Sequence, residues 1–296
     1  MSRVSVVIPT YNRAALVVEA IDSVLKQSFQ DYEVVVVDNG STDETTVRLA
    51  AFGRAVRAIR LDNRGWNTVV FRNPGIAAAR GELIAFLDDD DLWLPGKLER
   101  QIALLDSDGA IGFVYSDLQL LDPDGALSEP VLPARHRRGG AVLDELLAGC
   151  FISCSTLVVR RQLLDRVGWF DETLAGCEDY DLLLRLAAVA KAGCVAAPLA
   201  LRRLHQANAS VRTGIGNYQN AIFVLERFVQ RAKLSARQRF RARRTLARWY
   251  AHVGLALAQA GDRPAARAHF AHSLRRNPFQ RRAWIAFAQC SAPRSP

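Results

Sequence analysis

Leu83-Ile-Ala-Phe-Leu-Asp-Asp-Asp-Asp-Leu-Trp-Leu-Pro95 is an apolar run that ends abruptly in four consecutive carboxylates. The run suits a strand buried on both faces, and α/β proteins built from such strands bind ligands beyond the carboxyl edge of the sheet. Asp88, Asp89, Asp90 and Asp91 repel one another unless a cation sits among them. Hard carboxylate oxygens suit a divalent metal carrying a phosphorylated substrate. The plainer reading is a solvated acidic turn that caps a helix starting near Pro95, but a cap needs one Asp and not four.

Working outward, residues 4–8 and 33–37 read as further buried strands, 14–27 as a helix with apolar residues at helical spacing, and 45–51 as a second helix. Strand 55–61, helix 73–80 and strand 82–87 continue the alternation, which predicts a mostly parallel sheet covered by helices. No GxGxxG follows the first strand, so a dinucleotide site is not expected. Beyond the acidic cluster come a helix over 96–105, a strand near 111–115 and an irregular stretch over 122–140, long enough for a flap. A strand over 155–159 and an amphipathic helix over 179–191 follow, and from about residue 217 the chain is nearly all helix former. Within it, residues 247–280 fit one helical hairpin of the tetratricopeptide kind, with Tyr250, Gly254, Leu257, Ala266, Phe270 and Pro278 at its aromatic, small and turn positions. One such unit cannot bury its own face, so it must pack on neighbouring helices, on the preceding domain or on a second protomer.

The 296 residues, half of them hydrophobic, suffice for one large domain, 1–216, and a smaller helical region, 217–296. The first residues run straight into a strand pattern and no apolar run reaches bilayer length, so a cytoplasmic protein is expected. The five cysteines lack paired zinc spacing and read as reduced core thiols. The net charge of +9 is uneven: residues 1–216 carry −5 and residues 217–296 carry +14. Such a tail attracts a polyanion, and the expected one is the inner face of an anionic membrane; a solvated arginine-rich surface is the equal alternative. Nucleic acid is not expected, since no recognised binding motif or regular aromatic interleaving accompanies the charge.

Four segments carry a family likeness: Val4-Ser-Val-Val-Ile-Pro-Thr-Tyr-Asn-Arg13; Val35-Val-Val-Asp-Asn-Gly-Ser-Thr-Asp43; Arg72-Asn-Pro-Gly-Ile-Ala-Ala-Ala-Arg-Gly-Glu-Leu-Ile-Ala-Phe-Leu-Asp-Asp-Asp-Asp91; and Val167-Gly-Trp-Phe-Asp171 followed by Glu178-Asp-Tyr-Asp-Leu-Leu-Leu-Arg185. In this order and spacing they resemble the inverting, nucleotide-sugar-dependent glycosyltransferases of family 2, whose Rossmann-like fold is called GT-A. The resemblance implies that Asp88 and Asp90 form an Asp-x-Asp at Mg²⁺ or Mn²⁺ and the sugar diphosphate, with Asp90 the direct ligand and Asp89 at the donor sugar or ribose. Asp91 could equally cap the next helix. The nucleotide base is expected against Pro9, Thr10, Tyr11, Arg13, Asp38 and Asn39; Asn39 stands where the commoner family pattern has a second Asp, which leaves UDP and dTDP both open. Arg72 would face the diphosphate or pair with a surface carboxylate. Asp179 matches the family's general base, with Glu178 beside it as its tuner, and Asp181 and Arg185 form an i, i+4 helix-surface pair. Arg203 and His205 are expected near the diphosphate, and Ser155 and Thr156 on the acceptor side. Trp93 and Trp169 read as packing residues.

The implied activity is metal-dependent inverting transfer of a sugar from UDP or dTDP to a hydroxyl of a glycan or lipid-linked acceptor, in cell-surface polysaccharide synthesis. The donor half would span about 1–110 and the acceptor half about 111–216, and homo-oligomerisation through the helical tail is a further expectation. The rivals are a non-catalytic GT-A scaffold acting through its tail and a sugar nucleotidyltransferase, which would leave Glu178 and Asp179 without a task.

Overall fold

A computed structural model describes residues 2–62, 69–174, 176–204 and 214–291. The chain packs as two compact units, Met1–Val142 with Phe151–His205, and Leu143–Cys150 with Gln206–Pro296.

The first unit is built on an eight-stranded sheet in the order β3-β2-β1-β4-β7-β6-β8-β5. Its centre is β1 (Val4–Thr10), every residue of which is buried, because helices cover both faces. β2 (Tyr32–Asp38) and β4 (Leu83–Phe86) flank β1 in parallel, and β3 (Val56–Arg60) extends the sheet beyond β2. The register sets Thr10 beside Asp38 and Val7 beside Phe86, so the chain leaving β4 enters the acidic run alongside Pro9 and Thr10. α1 (Ala14–Leu25) buries Val17, Ala20, Ile21 and Val24 against the sheet, the apolar face its sequence spacing predicts.

α2 (Thr45–Ala50) follows β2, and α3 (Val69–Ala78) starts four residues earlier than expected. The expectation took the Asn73-Pro74 step as a helix start; Pro74 instead lies inside the helix, which puts Arg72 on the helix. β5 (Leu92–Trp93), α4 (Lys97–Ser107) and β6 (Ile111–Leu121) come next. Gly96, in the left-handed conformation, is the residue before α4, so Asp91 is not its cap. α5 (Leu143–Leu146) belongs to the second unit. β7 (Val158–Arg160) pairs antiparallel with both β4 and β6, α6 (Arg161–Val167) follows, and α7 (Glu178–Ala187) leads into β8 (Lys191–Arg203). β8 runs parallel to β6 and pairs with β5 at Leu92↔Leu201, which brings its last residues to the acidic run.

In the second unit, α8 (Gly214–Arg231), α9 (Ala236–Gln259), α10 (Arg263–Arg276) and α11 (Arg281–Ser291) pack by their apolar faces. Ser235 and Gln238 form a reciprocal capping box at the start of α9, and Asp262 caps α10 through the Ala265 N–H at 3.1 Å. The α9–α10 hairpin closes where Gly254 meets the Phe270 ring, since a Cβ at Gly254 would lie 2.9 Å from it. Ser273 Oγ donates to the Ala247 carbonyl at 2.7 Å across the pair. A packed helical hairpin over 247–280 is therefore present. Among the described residues no helix is long and apolar enough to cross a membrane.

Candidate functional site

The acidic run is held by two arginines from opposite sides. Arg13, just after β1, donates from one terminal nitrogen to Asp89 Oδ1 at 2.7 Å and to Asp90 Oδ2 at 2.9 Å. Thr10 Oγ1 takes the other Asp89 oxygen at 2.7 Å. Asp89 is buried, and loss of hydration lifts its carboxyl to about 6 even though Arg13 pulls it down. Arg72, 5 % exposed, donates to Asp88 Oδ1 at 2.6 Å and to Glu178 Oε1 at 2.8 Å, with its guanidinium 5.3 Å from the Phe170 ring centroid. Burial opposes the Arg72 charge, but the surrounding anions raise its pKa above the ordinary value, so it stays charged. Arg72 thus pairs with two carboxylates, the partly exposed Asp88 and the buried Glu178.

Asp91 turns inward. Ser155 Oγ donates to it at 2.6 Å and the Arg203 N–H reaches it at 3.3 Å. Burial, then the charges of Asp88 and Asp90, push its carboxyl well above the usual range. Ser155 Oγ also accepts the Asp88 N–H at 3.1 Å, and both Ser155 and Thr156 are fully buried. Ser155 supports the acidic turn, Thr156 Oγ1 donates to the Ser153 carbonyl at 2.7 Å, and neither side chain is open to solvent. The Arg203 side chain reaches the Asp90 carbonyl at 3.3 Å and Glu19 at 2.5 Å. His205 lies outside the described residues.

The β1 and β2 ends form the second wall. Asp38 is buried and accepts the Ser41 N–H, three residues on, at 2.9 Å and the Thr46 hydroxyl at 3.0 Å; Arg60 lies 3.2 Å away. Asn39, also buried, is fixed by its N–H to the Thr10 carbonyl at 3.0 Å. Asn12 Oδ1 accepts the Thr42 N–H at 2.7 Å and so ties the two loops together beside Pro9, Tyr11 and Arg13. Asp43 caps the starts of α1 and α2 through Ala14 and Thr45.

The third wall is the start of α7. Cys177 precedes it with φ of +59°, and Asn12 at +49° is the other described non-glycine residue in that region, so both strained positions sit at loops of this site. Asp179 keeps one edge open to solvent, yet the protein around it and the adjacent Glu178 charge raise its carboxyl to about 6. Asp181 and Arg185, expected as a surface pair, instead form a half-buried clasp: they meet at 2.8 Å, and Arg185 also donates to the carbonyls of Val167, Gly168 and Trp169. That clasp fixes the loop carrying Phe170.

Two residues were not singled out for the roles they have. Phe170 faces the Arg72 guanidinium with its ring, a contact between distant segments that the Val167–Asp171 sequence does not show. Lys97 is fully buried beneath the acidic turn, hydrogen-bonded to Gln101 Oε1 and 4.3 Å from the Trp93 ring centroid, and burial drops its ammonium to about 7. Trp93 itself packs, donating to the Ser155 carbonyl at 2.8 Å.

The donor set fits a divalent cation bound through few protein ligands. Asp88, a third exposed, gives Oδ1 to Arg72, and Asp90 gives Oδ2 to Arg13, so both bring hard carboxylate oxygens to the one turn. Among the described residues no group of three or more His, Cys, Asp or Glu side chains forms a closed cage.

A family model described as Glycosyl transferase family 2 matches residues 5–168, and one described as Glycosyltransferase like family 2 matches residues 139–234. An uncharacterized glycosyltransferase of Rickettsia felis is 33% identical over 195 residues, covering 63% of this chain and 32% of its own; the chain thus spans about a third of that relative. The Escherichia coli protein WfgD, described as a UDP-Glc:alpha-D-GlcNAc-diphosphoundecaprenol beta-1,3-glucosyltransferase, is 31% identical over 183 residues, 62% of this chain and 69% of that one. Among solved structures, S. aureus TarS 1–349 in complex with UDP-GlcNAc aligns with a TM-score of 0.68 at 17% identity, over 93% of this chain and 92% of that one. Mannosyltransferase PcManGT from Pyrobaculum calidifontis, in complex with GDP-Man and Mn²⁺, aligns with a TM-score of 0.67 at 21% identity, over 98% and 79%. These likenesses establish the GT-A fold.

Proposed function

The chain belongs to glycosyl transferase family 2, and on that premise we propose that it transfers a sugar, with inversion, from UDP- or dTDP-sugar to a hydroxyl of a lipid-linked glycan acceptor. The observation that carries this reading is the Asp88–Arg72–Glu178 chain, which joins the acidic turn to the start of α7 through one buried guanidinium. It couples a place for the leaving diphosphate to a place for a base, which transfer needs and a scaffold does not. The description of WfgD, with its UDP-Glc donor and diphosphoundecaprenol acceptor, supports the same pairing of substrates. A lipid-linked acceptor puts the reaction at a membrane face.

Asp90 and Asp88 would hold Mg²⁺ or Mn²⁺, which when bound neutralises charge on the departing diphosphate. Pro9, Thr10, Tyr11, Arg13, Asp38 and Asn39 would form the wall for the base and ribose. Asp89, held by Thr10 and Arg13, keeps the turn in shape more than it reaches the sugar. Glu178 is occupied by Arg72, and its helical neighbour Asp179 points about 100° away, free of that pair. Asp179 would therefore take the proton of the attacking hydroxyl. With its pKa near 6 it is ionised at neutral pH yet more basic than an ordinary Asp. The acceptor would approach from the part of the first unit beyond about residue 110.

Donor turnover with a diphospholipid-linked saccharide tests this. Mn²⁺ should support transfer and EDTA abolish it, Asp90→Ala should remove it, and Asp179→Asn should slow it by about 10²- to 10⁴-fold. Full turnover in both variants would favour a scaffold using another enzyme's activity. Release of pyrophosphate from sugar phosphate and nucleoside triphosphate would favour nucleotidyl transfer.

A further inference from the structure

α9 exposes arginines at 237, 241, 244 and 248, an i, i+4, i+7, i+11 series along one helical face. Within the second unit they line a cleft of about 480 Å³ together with Ala148, Phe240, Thr245, Asn277 and Gln280. Its charge is poorly compensated. Asp144 lies 3.6 Å from Arg237 and 3.7 Å from Arg241, while Arg248 donates to the Ala148 carbonyl and the Arg244 guanidinium stands 5.9 Å from the Phe240 ring. Among the described residues no carboxylate comes within ion-pair distance of Arg244 or Arg248. Four guanidiniums thus face one carboxylate around an open cleft.

The rim is apolar. Phe240 is 63% exposed, Phe279 93% and Trp284 50%. The Trp284 indole N–H donates to the Pro278 carbonyl at 2.8 Å, which fixes it beside the loop that carries Asn277, Phe279 and Gln280. A soluble polyanion would satisfy the arginines but would leave two phenylalanines and a tryptophan in water. An acidic protein would satisfy both, but a shallow arginine cleft flanked by protruding aromatics matches the layering of a bilayer surface: phosphates at one depth and acyl chains just beneath.

We propose that this cleft docks the second unit on an anionic lipid surface, with lipid phosphate groups between Arg244 and Arg248 and with Phe240, Phe279 and Trp284 entering the headgroup boundary. Phosphate recognition suits guanidinium geometry, and each cation near such a surface adds to binding that salt weakens. The surface acts whether or not the first unit transfers a sugar.

The test is co-sedimentation of the full chain with vesicles of pure phosphatidylcholine and of phosphatidylcholine containing about a third phosphatidylglycerol. Binding should be at least tenfold tighter to the anionic vesicles and should weaken about tenfold between 50 and 300 mM NaCl. Arg244→Gln with Arg248→Gln should reduce it about tenfold or more. Phe279→Ser, at a position 93% exposed and so outside the packed core, should reduce it severalfold at unchanged salt dependence. Arg135→Gln with Arg166→Gln, which removes two charges from the first unit, should change it less than twofold. Equal binding to both vesicles, or equal loss in the two double variants, would overturn the proposal. Capture by long-chain polyphosphate with no vesicle binding would also overturn it, in favour of a soluble polyanion.

Discussion

Asp179 sits where enclosure by protein and the neighbouring Glu178 charge hold its carboxyl near 6. In the proposed role of base it acts only when ionised, so kcat/KM should rise about tenfold per pH unit below 6 and level off above it, which a pH–rate profile would read. The same shift acts on stability. The unfolded chain ionises this Asp near 3.8 and the folded chain near 6, so between those values the folded state holds the extra proton and stability falls as pH rises. Asp179→Asn should therefore gain about 1–2 kcal/mol at pH 8, a figure reduced for the open edge of the carboxylate, and gain almost nothing at pH 3.5. Urea unfolding at the two pH values decides it; no gain at pH 8 would mean that the carboxylate is not strained. Lys97 has the opposite sign. Its folded pKa near 7 lies below the unfolded 10.5, so its burial costs most below pH 7 and the cost fades as pH rises to 10.5. Lys97→Met should raise the unfolding free energy measured in urea at pH 6 by about 1–2 kcal/mol and lose that advantage near pH 10.

α3 carries the guanidinium that links two walls of the site, and its closeness to β1 rests on one glycine. A Cβ on Gly75 would overlap Val7 Cγ1 and come within 3.1 Å of Val37 Cγ2. Gly75→Ala should cost about 1–3 kcal/mol in denaturant unfolding, by pushing the helix off the sheet, and should lower activity further by moving Arg72 from Asp88. A variant of full stability and activity would show that the helix tolerates the shift. The elements of the first unit differed in how far they could be read. β1, β2 and β4 are apolar on both faces and bounded by turn residues, so their character is local. β8 escaped notice because Lys191–Arg203 is rich in Ala and holds Pro198, and its pairing with β6 shifts register beside Asp117. Such a strand exists through its partners. The site divides in the same way. Four adjacent carboxylates are visible in a line of sequence, whereas the pairing of Arg13 with Asp89 and Asp90, or of Arg72 with Asp88 and Glu178, spans 16 to 106 residues and is created by the register of the sheet. The Arg185 clasp was half visible: its i, i+4 partner was local, but its three backbone carbonyls were not.

At the scale of the whole molecule, the acidic turn concentrates negative charge that the protein offsets only in part with Arg13 and Arg72, and burial still raises the pKa values of Asp89 and Asp91. A sugar nucleotide alone brings a diphosphate to that turn and adds repulsion; with a divalent ion it brings a complex nearer neutrality. Donor and metal should therefore stabilise the folded chain jointly and hardly at all separately. At a donor concentration about 100 times Kd in the presence of Mn²⁺, linkage gives about 2.7 kcal/mol, which for a unit of this size is a rise of about 5–11 °C in the melting transition of the first unit. Comparison of UDP-, dTDP- and GDP-sugars by thermal shift would show which base fits the pocket at Asn39, because only the matched donor should reach the full rise. Asp90→Ala should abolish the metal-dependent part and leave any metal-independent part in place. If the rise were the same in EDTA as in Mn²⁺, the carboxylates would be binding no cation in the donor complex, and their crowding would have to be explained by Arg13 and Arg72 alone.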